Sequence, residues 1–166
     1  MKENILLTLQ FIILVFLQVL LFNQIHIYGV GCIFLYVIFV INYPFERKRI
    51  YIIFLGFLLG LIIDMFSQSY GTHTFATTLI AYLRPFITKL YIGSSDSEVL
   101  KKHYSHFDKT FYRYAFTMIL LHHLTLFMLE AFSLKFIVPI ILKTLISTLL
   151  TTIFVLFIQN VFVRKK

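Results

Sequence analysis

Six stretches of this chain are apolar over lengths that match a bilayer-crossing helix, and no other feature constrains the fold as tightly. A transmembrane helix needs roughly 17 to 25 mainly apolar residues. Such runs lie at Ile5–Phe22, Ile27–Tyr43, Ile50–Phe66, Thr72–Ile92, Phe111–Glu130 and Phe136–Ile158. Lipid offers no hydrogen bonds, so each run must satisfy its own backbone, which predicts helices. Composition agrees: 60% of the residues are hydrophobic and only 13% charged, too little polar surface for a water-soluble domain of 166 residues. The expectation is one all-α, polytopic membrane domain over residues 1–166. Lys2 precedes the first run, but no small-residue cleavage site follows it, only FNQIHIYG, so that run is expected to stay as a helix.

The connecting segments separate by charge. Lys2, the FERKR stretch (Arg47, Lys48, Arg49), the segment after Tyr91 (Lys101, Lys102, Lys109, Arg113) and the RKK tail (Arg164, Lys165, Lys166) form a basic set. The alternate segments NQIH, SQSYG and AFSLK hold only Lys135. Basic loops stay in the cytoplasm, so both termini are expected there, with an even number of crossings. Hydropathy independently gives six. GSSDSEVLKKHYSHFDKT, at about residues 93–110, is then a cytoplasmic loop. The net charge of +8 is explained by this loop bias. Nucleic-acid binding is set aside, because no basic patch is interleaved with stacking aromatics. The single Cys32 excludes an internal disulfide and any multi-cysteine metal site.

Polar residues inside the runs are the candidate functional groups. Gly56, Gly60 and Asp64 recur every four residues, so they share one helix face. GFLLG is a small-xxx-small pattern that admits a second helix closely. A carboxylate on that face argues that it meets protein; the bland alternative is an Asp64 wetted at the interface. An unpartnered Asp opposes the dipole at a helix C-terminus, and Lys143 in the last run is its candidate intramembrane partner, the alternative being a Lys143 that snorkels outward alone. Lys143, Ser147 and Thr151 share one face of that run, beside Thr144, Thr148 and Thr152. Arg84, just before Pro85, either snorkels to the inner headgroups or continues a protein-facing stripe with His73, Thr77 and Ala81. Pro85 is expected to bend or end its helix.

Neither catalytic nor metal chemistry is signalled. His122 and His123 point about 100° apart and Glu130 lies two turns beyond, too far for one coordination shell. H-E-x-x-H, G-x-S-x-G and Walker patterns are absent, as is a second intramembrane carboxylate beside Asp64. A non-enzymatic protein without cofactor is expected.

Three stretches carry a likeness. LQVLLFNQIHIYG, then FLYVIFVINYPFE, then GFLLGLIIDMFSQSYGTHTFATTLIAYLRPFI together resemble the bacterial rod shape-determining MreD family, most of all its Bacteroidetes members. Gly60 with Asp64, Gly71 opening the next helix, and the LRPF of Leu83–Phe86 are its most recognisable parts. The second half of the chain matches only in hydropathy. The resemblance implies a multi-pass subunit of the inner membrane in the cell-elongation machinery that organises peptidoglycan synthesis. It also implies a bitopic MreC-like partner, proximity to a RodA-type glycosyltransferase, a class B penicillin-binding protein and MreB, and a six-helix fold similar to the substrate-binding component of energy-coupling-factor transporters. A glycine-lined groove would receive the MreC-like helix. The alternative function is capture of a small molecule or lipid precursor. It requires a closed cavity of about a few hundred Å³ lined by His73, Arg84, Asp64 and Lys143.

Overall fold

The computed structural model describes residues 2–25, 31–92, 109–132, 135 and 137–163. Among them every regular element is a helix: α1 (Lys2–Leu20) with a 3-10 turn at Phe22–Gln24, α2 (Val37–Asn42), α3 (Arg49–Ser67), α4 (Thr72–Ile92), α5 (Lys109–Ala131) and α6 (Ile137–Val163). The expected cytoplasmic loop falls almost wholly outside the described residues. Four helices are long and apolar enough to cross a membrane: Lys2–Gln24, Arg49–Ser67, Lys109–Ala131 and Ile137–Gln159. α4 is as long but less apolar, since it carries His73, Arg84, Lys89 and five threonines.

Successive helices pack as neighbours, α3 on α4, α4 on α5 and α5 on α6, with α1 against α3. The segment 31–43 threads the middle of this ring. Tyr36, Val37, Val40 and Ile41 are wholly buried there. Arg47 meets Asn4 (2.5 Å) and Glu3 (4.0 Å) at the start of α1. The ends of α1, α3 and α5 and the starts of α4 and α6 gather at the opposite end.

The second apolar run corrects the sequence reading. A continuous helix over Ile27–Tyr43 is expected, but among the described residues of that run, 31–43, helix forms only over Val37–Asn42, about 9 Å long at 1.5 Å per residue. Cys32–Phe34 is non-helical and leads into a turn at Leu35–Tyr36. Its backbone groups find side chains instead. Cys32 N donates to Ser147 Oγ (3.0 Å), Phe34 N to Thr151 Oγ1 (3.2 Å) and Leu35 N to Gln18 Oε1 (2.8 Å), while Gln18 Nε2 donates to Ile33 O (3.1 Å). Irregular backbone is tolerated at membrane depth only where protein surrounds it, and here α1 and α6 do so. This segment accounts for Ser147 and Thr151 in the polar stripe of α6, both fully buried.

Candidate functional site

The residues carrying the family likeness build a tight α3–α4 hairpin. A Cβ on Gly60 would lie 2.5 Å from Thr74 Cα and 2.6 Å from His73 O, so α4 fills that side of α3. At Gly56 the approach is looser, 3.2 Å to Ala81 Cβ. The glycine face does meet protein, but that protein is the chain's own α4. No open groove is left there for an MreC-like helix.

Asp64 completes the hairpin. Its carboxylate accepts from Ser69 Oγ (2.5 Å), His73 N (3.0 Å), Thr74 N (2.7 Å) and Thr74 Oγ1 (2.5 Å). The first amides of a helix have no internal partner, and a negative charge suits that positive end. The electrostatic oddity at the end of α3 therefore resolves at the start of α4. The connecting turn needs left-handed backbone at Gln68 (φ 54°), Tyr70 (φ 51°) and Gly71 (φ 89°).

Lys143 pairs elsewhere. Its Nζ lies 2.9 Å from Glu130 Oε2 and 4.4 Å from the centre of the Phe127 ring. The expected Asp64–Lys143 pair does not form, because Asp64 is already saturated by α4 and Glu130 stands closer along the α5–α6 hairpin.

Arg84 takes the protein-facing alternative. It is 5% exposed, donates through Nε to Tyr114 Oη (3.1 Å) and through Nη2 to the carbonyls of Ile41 and Tyr43, and stacks 3.9 Å from the Phe45 ring centre. Cationic donors suit a helix C-terminus, and these carbonyls end α2. α4 runs on through Pro85 to Ile92, so the proline does not end it. A proline loosens the ladder in the turn before it. There Arg49 Nη2 donates to Tyr82 O (2.7 Å).

A polar relay that the sequence did not reveal crosses the interior. Tyr36 Oη lies 2.7 Å from His73 Nδ1 and 2.9 Å from His122 Nε2, and Thr77 Oγ1 lies 3.5 Å from the latter. Tyr36 has one proton to give, so at least one of the two imidazoles donates to it. His122 and His123 diverge as expected: His123 turns to Ile119 O (2.7 Å) and Thr151 Oγ1 (3.2 Å). Among the described residues no group of three His, Cys, Asp or Glu side chains is placed to hold a metal ion.

At the end where Asp64 lies there is a cavity of about 360 Å³, partly open, walled by Asn23, Ser67, Ser69, His73, Glu130 and Lys143. The capture alternative asked for a closed space lined by His73, Arg84, Asp64 and Lys143. Two of the four, His73 and Lys143, do share one cavity; Asp64 and Arg84 serve helix ends instead. In comparisons with known proteins, no family model, no curated protein and no solved structure matches this chain.

Proposed function

We propose that this chain is a non-catalytic, MreD-like subunit of a cell-elongation complex in the inner membrane, and that it holds a bitopic MreC-like partner beside the peptidoglycan synthase. The observation that carries the reading is a coincidence of roles. The residues behind the family likeness, Gly60, Asp64 and Gly71, are the ones that build the α3–α4 hairpin. A motif that fixes the scaffold is what a family of scaffolds would share.

In this reading the chain crosses the membrane six times with both termini in the cytoplasm. The segment 31–43 is the second crossing, buried rather than lipid-facing. The meeting of Arg47 with the start of α1 supports that return path. With the glycine face filled, the partner helix is assigned to α1, whose apolar window is 11% buried against 33–44% for the other three apolar helices.

The test is co-purification of tagged protein with the MreC-like partner in mild detergent, plus photocrosslinking from Ile13 and Phe16 on α1 and from Leu149 and Ile153 on α6. Capture of the partner, with crosslinks from α1 only, is the expected result. Recovery of the chain alone, under conditions that keep the remaining complex together, would sink the proposal.

A further inference from the structure

The cavity wall holds three groups whose bonding capacity is not used up. Asn23 and Ser67 are bonded to each other (2.7 Å), and Ser69 is spent on Asp64. The others differ. His73 is 4% exposed, gives Nδ1 to Tyr36, and makes no hydrogen bond through Nε2 within the described residues. Lys143 and Glu130 share a single contact of 2.9 Å, and their side chains are 34% and 35% exposed. The ammonium keeps two further donors and the carboxylate a second oxygen.

An ion pair this exposed contributes little to stability, and apolar side chains of similar volume would hold two helices as well. The geometry points to a ligand that uses both charges: a zwitterion with a primary ammonium and an oxyanion, the ammonium going to Glu130 and the oxyanion to Lys143 and His73. Charge balance selects this class. A simple anion taken up by Lys143 meets the carboxylate of Glu130, and a simple cation at Glu130 meets Lys143. Either one replaces one ion pair with another and leaves a repulsive neighbour. A zwitterion replaces one ion pair with two. Phe22, Phe34 and Phe66 line the same space and suit an apolar remainder. The volume falls within the range usual for ligand sites, roughly 300–1,000 Å³. The site does not depend on the MreC-like partner.

Two sources offer this chemistry, a soluble amino compound and a phosphatidylethanolamine headgroup. The full chain, purified in detergent, is titrated calorimetrically with O-phosphoethanolamine and alanine, and separately with ethanolamine and inorganic phosphate. In parallel it is placed in nanodiscs of phosphatidylethanolamine or phosphatidylglycerol, and retained lipid is read by native mass spectrometry. Binding of either soluble zwitterion at least about tenfold tighter than both single-charge probes establishes the site and a soluble source. Selective retention of phosphatidylethanolamine without soluble binding establishes it with a lipid source. Glu130→Gln and Lys143→Gln should each weaken the effect about tenfold. Should either variant fail to fold, the wild-type preference for zwitterion over its halves still decides. Equal binding of the single-charge probes, or no zwitterion bound in either format, overturns the inference.

Discussion

Asp64 is a helix cap contributed by the preceding helix, and its worth lies in the four donors it satisfies. Removing it leaves first-turn amides of α4 without a partner. Asp64→Ala should cost about 2 kcal/mol or more in detergent unfolding, and Asp64→Asn less, since one acceptor oxygen survives. Lys143 belongs to a different ion pair, so Asp64→Ala and Lys143→Met should add within about 0.5 kcal/mol in a double-mutant cycle. Tyr36→Phe removes the hydroxyl shared by two buried imidazoles and should destabilise by about 1–3 kcal/mol, measured the same way. The sequence favoured an Asp64 that faces protein over one wetted at the interface. It did not show which protein, because a carboxylate in an apolar run suggests a cation on another helix before it suggests backbone amides. The true partners were backbone amides nine and ten residues further on, in the polar GTHT that opens α4.

Gly56 and Gly60 look equivalent in the pattern GFLLG, yet α4 approaches them differently. At Gly60 a methyl group meets backbone at 2.5–2.7 Å, which cannot swing aside; at Gly56 it meets Ala81 Cβ at 3.2 Å and Thr77 O at 3.3 Å, a tight fit that a shift of a few tenths of an ångström relieves. Gly60→Ala should therefore lower stability by about 1–3 kcal/mol and Gly56→Ala by clearly less, as read from thermal unfolding of the purified variants. Hydropathy located α1, α3, α5 and α6, each long and apolar enough to cross a membrane. It failed over 31–43, where the run is equally apolar but buried within the protein. An apolar run signals burial, not helix, when acceptors such as Gln18, Ser147 and Thr151 stand ready to take its amides. Those acceptors lie far away in sequence, so no local pattern announces them. Pro85 likewise suggested a break, and the helix passes through it with its neighbouring carbonyl served by Arg49.

Across the molecule, six passes require the ends of the chain to share a side. Reporter tags placed before Met1 and after Lys166 should both be reached only from the cytoplasm; reporters on opposite faces would remove the six-pass topology. The charge bias of the loops gives this expectation without coordinates, since it depends on counts and not on contacts. The internal polar order was not legible in the same way. Arg84 closing α2, Asp64 opening α4, and the Tyr36 relay each depend on side chains brought together from separate helices.

The amides of Cys32 and Phe34 bind hydroxyls 115 and 117 residues further along the chain. During synthesis these amides emerge long before their acceptors exist. The early half of the protein must wait, solvated or sheltered by the insertion machinery, until the last helix arrives. Biogenesis should then end in one late locking step, and nascent chains stalled short of Ser147 should be ready substrates for membrane proteases.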